Sequence, residues 1–120
     1  MPVHTPTACS EARDDADLRL AFGLLGKPWT GVVLGRLGDG EMGFAELGRA
    51  VEGISQSVLS DRLTSLAGVG LITREVAPGP PVAVTYALTD DGRALLPALE
   101  SLAQWARAHL DPARCAAAGH

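Results

Sequence analysis

The sequence predicts a mainly α-helical domain with one small β-hairpin, on the basis of three observations. A short apolar helix around Phe44, a break at Gly53 and a longer amphipathic helix follow one another, which is a helix-turn-helix arrangement. After Gly70 the apolar period changes from about 3.6 residues to about 2, which indicates two strands. Residues 77–81, rich in Pro and Gly, join these strands. A hairpin directly after a helix-turn-helix is typical of the wing in a winged helix-turn-helix.

Length and composition restrict the class of protein. The chain has 120 residues, which is expected to form one domain, and its 4% aromatic content predicts a core of Leu, Val and Ala. No apolar run is long enough to span a membrane, the start of the chain lacks a signal-peptide pattern, and two distant cysteines favour a cytoplasmic location. The net charge of −4 argues against indiscriminate nucleic-acid binding, because that binding depends on neutralising phosphates.

Proline spacing and charge define the expected boundaries. Residues 1–10 are predicted to be a flexible arm, residues 11–111 the folded domain, and residues 112–120 a loose tail. The first helix starts at Glu11 in an acidic stretch, as the helix dipole favours, and ends at Gly26. Its apolar positions are Leu18, Phe22 and Leu25.

The next elements are short. Residues 29–37 are predicted to form the second helix, with Trp29 on its apolar side, and residues 41–43 have room only for a short edge strand. The third helix has about two turns and stops near Gly53. Its apolar positions are Phe44, Leu47 and Val51.

The fourth helix has one apolar face and one short polar face. Ser55 is a favourable N-cap, and the apolar positions are Leu59, Leu63 and Leu66. The opposite face carries Ser57, Ser60, Asp61, Thr64 and Gly68. Such a face suits close approach to base edges in a DNA groove, although an ordinary solvated helix surface is the alternative.

The last helix has an apolar stripe wider than a small domain needs. Residues 71–76 and 82–88 are the predicted strands of the hairpin, and Thr89 caps the helix that follows and ends before Pro112. Pro97 is expected to kink or delay this helix. The stripe consists of Leu95, Leu99, Leu102 and Ala106, flanked by Leu96, Ala103 and Leu110. An exposed stripe of this width predicts a partner.

Catalytic and metal-binding patterns are absent from the sequence. It contains no Gly-rich phosphate loop after a strand, no Cys-x-x-Cys and no His-Glu-x-x-His, and its serines cluster away from any His. His4 with Cys9, and Cys115 with His120, are too weak a pattern to predict zinc. We therefore expect neither an enzyme nor a metal or cofactor site.

An ordered set of motifs resembles the HxlR (DUF24) regulators, which are related to the MarR group. The similar positions are residues 24–30 (LLGKPWT), Gly40 with residues 44–47, residues 54–56 with Leu59, Arg62-Leu63 with Leu66, residues 70–72 with Arg74, Pro81-Val82 with residues 86–89 and Gly92, and Leu96-Pro97 with Trp105. The resemblance implies a transcriptional regulator that binds double-stranded DNA as a homodimer joined through its first and last helices. Its target would be an inverted repeat.

Three departures from the family pattern affect the expected DNA contacts. Ser57 stands where similar proteins often have Lys, Ala83 where the wing commonly has Arg or Lys, and Pro28 where Gly or a basic residue precedes the Trp. Loss of the two basic positions removes phosphate contacts. Arg74 at the base of the wing is then the main basic contact expected there.

The candidate DNA-contacting residues lie on the fourth helix and at the base of the wing. Asp61 could accept from a cytosine amino group or could repel phosphate, and Arg62 could be an ion-paired flank of the core or a phosphate contact. Lys27 and Arg49 could each touch phosphate or be solvated. The full candidate set is Ser55, Gln56, Ser57, Ser60, Asp61, Arg62, Thr64 and Arg74.

The sequence is compatible with more than one signal for such a regulator. The resemblance implies a response to oxidants or electrophiles through a cysteine, and Cys9 of one subunit could then lie near Cys115 of the other, whereas two unreactive thiols are the alternative. A small-molecule effector at the dimer interface beside Trp29 and Trp105 is a further possibility. A winged helix used for protein–protein contact is the other alternative function.

Overall fold

The computed structural model of the chain describes residues 8–113, with side chains described from residue 15 onward. Within this range five helices and three strands form a winged helix-turn-helix, as the sequence predicts. The elements are α1 (Ala8–Leu25), α2 (Thr30–Leu37), β1 (Met42–Gly43), α3 (Phe44–Ala50), α4 (Gln56–Gly68), β2 (Ile72–Ala77), β3 (Ala83–Leu88) and α5 (Asp90–His109).

Two helix starts differ from the sequence prediction. Helix α1 begins at Ala8 instead of Glu11, so residues 8–10 are helical. Trp29 is not part of α2 but is its N-cap residue, with φ 76° and ψ −12°. This left-handed conformation ends the turn after Pro28 and cannot continue into a right-handed helix, so α2 starts one residue later than predicted.

Helix α5 starts before Pro97 and continues through it, so the predicted delay is wrong, whereas the alternative prediction of a kink stays a prediction. The helix starts at Asp90, and the hydroxyl of its N-cap Thr89 accepts from the N–H of Gly92 at 3.1 Å. Pro97 removes one N–H that would bond to the carbonyl of Arg93. Both residues are exposed, so the carbonyl is accessible to solvent and the missing bond does not end the helix.

The described strands form one antiparallel sheet in the order β1-β3-β2. Strands β2 and β3 are the wing, in register from Ile72 opposite Leu88 to Ala77 opposite Ala83. Strand β1 is the short edge strand that the sequence predicts, and it places Met42 opposite Tyr86. The sheet therefore ties the start of α3 to the wing.

The core lies where α2, α3 and α4 pack over the base of the sheet. The apolar faces predicted for α3 and α4 point into this core. Burial of each large aliphatic side chain stabilises the fold by about 1.5–3 kcal/mol. The buried apolar residues are Val33, Leu34, Leu37, Leu47, Val51, Leu59, Leu63, Leu66, Ile72 and Leu88.

Helices α1 and α5 are each packed on the core at one end only. The C-terminal end of α1, at Leu24 and Leu25, and the first half of α5, at Leu95 to Leu99, contact the core. Away from the core, both helices expose apolar side chains. These are Leu18, Leu20 and Phe22 on α1, and Leu102, Trp105 and Leu110 at the end of α5.

Candidate nucleic-acid interface

Helix α4 begins with a turn that only glycine accommodates easily. Gly53 has φ 94°, a conformation that L side chains rarely adopt. Two residues later Ser55 caps the helix, because its Oγ accepts from the N–H of Val58 at 3.2 Å. The Oγ of Ser57 lies 3.4 Å from the same oxygen. The first turn of α4 thus presents hydroxyl groups and free backbone N–H groups at the end of the helix that favours anions.

The two faces of α4 are separated as the sequence predicts. Leu59, Leu63 and Leu66 are buried in the core. The opposite face is exposed and consists of Gln56, Ser57, Ser60, Asp61 and Thr64. Apart from Gln56 at the start of the helix, these side chains are short, so the helix backbone can approach a ligand closely.

A groove of about 390 Å³ runs between α4 and the base of the wing. Ser60 and Thr64 line it on the helix side, and Arg74 and Tyr86 line it on the sheet side. Arg74 and Tyr86 are cross-strand partners on β2 and β3. The fold therefore brings the predicted contacts Ser60, Thr64 and Arg74 together around one concave surface.

Tyr86 is a member of this groove that sequence reasoning did not identify as a site residue. It is half-buried, and its phenol is a donor and an acceptor beside Arg74. Alternation along β3 could have indicated that Tyr86 shares a face with Val84 and Leu88. The groove itself could not be anticipated, because it depends on the angle between α4 and the sheet.

Arg62 and Asp61 are engaged with the protein itself. The Arg62 guanidinium pairs with the Asp61 carboxylate, and its Nε donates to the carbonyl oxygen of Pro28 at 2.8 Å. Only 14% of the Arg62 side chain is exposed. This geometry matches the ion-paired alternative for Arg62. Asp61 is 61% exposed, so its carboxylate remains accessible to a ligand.

The outer part of the wing carries no charge. Residues 76–84 contain neither Lys, Arg, Asp nor Glu, and Ala83 is exposed at the start of β3. Arg74 makes no ion pair with the side chains that the structure describes, so its charge is available at the base of the wing. Lys27 and Arg49 are exposed, as either of their predicted roles allows.

The described residues include no group of three or more His, Cys, Asp or Glu that could hold a metal ion. The backbone of Cys9 lies in α1, but its side chain, like His4, Cys115 and His120, lies outside what the structure describes. Among residues 8–113 the structure contains no helix with the length and hydropathy of a membrane span.

A capped helix with a short polar face, beside a wing and over an aliphatic core, defines a winged helix-turn-helix DNA-binding regulator. The model of the HxlR-like helix-turn-helix family matches residues 24–114, and the chain belongs to that family. Its relatives include the HTH-type transcriptional regulator YodB of Bacillus subtilis, 38% identical over 92 residues that cover 77% of this chain and 82% of YodB. The regulator YvaP of the same organism is also 38% identical, over 77% of this chain and 85% of its own.

Solved structures agree with this membership. The reduced form of YodB from B. subtilis superposes with a TM-score of 0.72 at 36% identity, covering 80% of this chain and 94% of YodB. The redox regulator HypR in its reduced form gives a TM-score of 0.75 at 28% identity, covering 82% of this chain and 98% of HypR. The structures of YodB also include a diamide-treated form and a quinone-bound form.

Proposed function

We propose that this regulator acts as a homodimer on an inverted-repeat operator, with the polar face of α4 in the major groove. The observation that carries the proposal is the groove shared by Ser60, Thr64 and Arg74. Short hydroxyl side chains let the helix approach base edges, while Arg74 supplies a phosphate contact at the rim. We infer a cytoplasmic location, because chromosomal DNA is the proposed target.

Dimerisation is supported by the apolar ends of α1 and α5. Phe22 is 59% exposed, Leu102 47% and Trp105 54%, and they continue from the parts of both helices that pack on the core. Exposed apolar surface of this extent usually marks an interface. A second copy that covers both helices would present two α4 helices on one side.

The experiment combines sedimentation with selection of duplexes from a random DNA pool. We expect a dimer at micromolar concentration and a selected inverted repeat whose half-site centres are one helical turn, about 34 Å, apart. Binding should weaken between low and moderate salt, because phosphate contacts release counterions. Leu102→Glu should shift the protein towards monomer and weaken binding, whereas Gln104→Glu, at an exposed position on the opposite face of α5, serves as the charge control. A monomeric wild type, or selection of single half-sites, would contradict the dimer.

Oxidation of cysteines is the signal that the relatives favour. YodB has been solved in a reduced and a diamide-treated form, HypR is a redox regulator solved in its oxidised form, and this chain has one cysteine near each end. We infer that Cys9 of one subunit and Cys115 of the other form a disulfide, in which two thiols lose two electrons and two protons to the oxidant. The bond would change the spacing of the two α4 helices.

A non-reducing gel after diamide treatment tests the disulfide. The wild type should run as a covalent dimer, and Cys9→Ser and Cys115→Ser should each remain at monomer mobility. DNA affinity should change on oxidation in the wild type alone. Unchanged mobility and unchanged affinity in the wild type would exclude the redox signal.

A small-molecule effector is the alternative signal. An apolar groove of about 540 Å³ lies between α2 and α5. Its lining consists of Gly31, Gly35, Gly38, Leu96, Leu99 and Ala103 with their neighbours and does not include Trp29 or Trp105. The predicted effector site beside those tryptophans at the dimer interface stays a prediction. In the proposed dimer this groove adjoins the exposed end of α5.

A further inference from the structure

The four residues between α1 and α2 form a strained junction. Residues 26–29, called the junction from here on, include Pro28 and end in Trp29 with φ 76°. A bulky aromatic residue in the left-handed region is an outlier, and it persists only where surrounding contacts hold it. The contacts that hold Trp29 therefore carry information about what the junction does.

Two contacts join the junction to the helix-turn-helix. The Trp29 ring lies against Gly53, so that a Cβ on Gly53 would be 3.3 Å from the Trp29 Cη2. Across 34 positions of sequence, Arg62 Nε donates to the Pro28 carbonyl at 2.8 Å. Gly53 lies in the turn before α4, and Arg62 lies within α4. Both ends of the first half of α4 are thus fixed to the junction.

Arg62 is placed for this contact rather than for a ligand. Its side chain is 86% covered, its Nε is directed at Pro28, and its charge is offset by Asp61. The exposed hydroxyls of Ser60 and Thr64 lie on another face of the helix. The planar guanidinium can serve both partners at once, because its donors point in fixed directions.

We propose that Arg62 is a positioning residue, which sets the angle of α4 relative to α1 through the Pro28 carbonyl and does not contact phosphate. The pair Arg62–Pro28 and the pair Trp29–Gly53 are together called the junction contact. Since α1 is the helix that a second copy would cover, the junction contact connects the dimer interface to the DNA-reading face. This inference rests on the proposed function.

Two substitutions separate positioning from phosphate contact. Arg62→Gln places an amide nitrogen at the same point along the side chain as Nε and removes the charge. Arg62→Lys keeps the charge but places a methylene at that point. Positioning therefore predicts that Gln is the better replacement, whereas phosphate contact predicts that Lys is better.

The first measurement is affinity for the duplex that the wild type selects, across a range of salt. We expect Arg62→Gln to bind within about threefold of wild type and Arg62→Lys to bind at least about tenfold more weakly, both with an unchanged salt slope. Arg93→Gln, at an exposed position on α5, measures the effect of charge loss alone. Both Arg62 variants are also measured in an Asp61→Asn background. This background removes any effect of an Asp61 carboxylate that has lost its ion-pair partner.

The second measurement needs no DNA. The chain has two tryptophans, so 5-fluorotryptophan labelling gives two fluorine resonances, and Trp105→Phe assigns them. The Trp29 resonance should shift in Arg62→Lys and stay in place in Arg62→Gln, with both variants folded by circular dichroism.

The outcomes are distinct. Arg62 is a phosphate contact, and the inference is wrong, if two results occur together. Arg62→Lys would bind better than Arg62→Gln, and in the Gln variant the slope of log affinity against log salt concentration would fall by about one for each Arg62 removed from the dimer. Equal binding by both variants with an unmoved Trp29 resonance also overturns it. If the wild type selects no duplex, the proposed function fails, and the fluorine resonance alone decides whether the junction contact depends on Arg62.

Discussion

Ser60→Glu and Thr64→Glu are each expected to abolish sequence-specific DNA binding and to leave the fold intact. Both side chains are exposed and line the groove between α4 and the wing. A carboxylate there would face phosphates and base-edge acceptors, and would be desolvated without a partner. An unpaired buried polar group costs up to about 3 kcal/mol, and more if it is charged, so the affinity should fall by about a hundredfold or more.

The matched controls are Ser60→Gln and Thr64→Gln, which have the shape of Glu without its charge. They should bind more tightly than the Glu variants, and the difference should shrink as salt is raised. Binding is measured by fluorescence anisotropy on the selected duplex, and folding by thermal denaturation. Wild-type affinity in a folded Ser60→Glu/Thr64→Glu double variant would mean that α4 is not the reading helix.

Gly92→Ala is expected to destabilise the fold strongly. Gly92 is buried in the first turn of α5, and a Cβ there would overlap the backbone carbonyl oxygen of Leu71 and lie 3.1 Å from Leu88 Cδ2. The same region is held by the Thr89 hydroxyl, which donates to the Gly70 carbonyl at 2.7 Å, and by the Thr89 N–H, which donates to the Leu71 carbonyl at 3.0 Å. The Leu71 backbone cannot move away without disturbing its own hydrogen bond. The free energy of unfolding should therefore fall by an amount near the upper end of about 1–3 kcal/mol.

Gly68→Ala is the control for this prediction. Gly68 is the last residue of α4, and nothing lies within 4 Å of a Cβ built on it. Alanine favours the helix by up to about 1 kcal/mol over glycine, so this variant should be as stable as wild type or slightly more stable. Urea unfolding at one fixed protein concentration compares the two. Equal stability of Gly92→Ala and wild type would show that α5 does not pack against the α4–β2 turn as described.

The element order could be predicted because each signal is local. The N-cap positions Ser55 and Thr89 lie directly before α4 and α5, and the change of apolar period after Gly70 marks the start of the wing. These features depend on hydrogen bonds and periodicity within a few residues. The short strand β1 was predictable for the same reason.

The errors arose where the surroundings of a residue in the folded chain override its local propensity. In the sequence Trp29 looks like the first residue of a helix. In the fold its ring packs against Gly53, and its own backbone adopts the left-handed conformation. Pro97 looks like a helix breaker, yet the carbonyl it frees lies on an exposed surface and α5 continues. Propensity describes the isolated segment, and tertiary context overrides it.

By itself the sequence determined the winged helix-turn-helix and the polar face of α4, because a helix that buries Leu59, Leu63 and Leu66 must expose Ser60 and Thr64 on its other side. Only the tertiary structure decided that Arg74 and Tyr86 meet that face in one groove, and that Arg62 turns towards Pro28. The physical reason is that the helical period fixes side-chain directions only within one element. The orientation of α4 relative to the sheet and the junction is set by packing of the whole core.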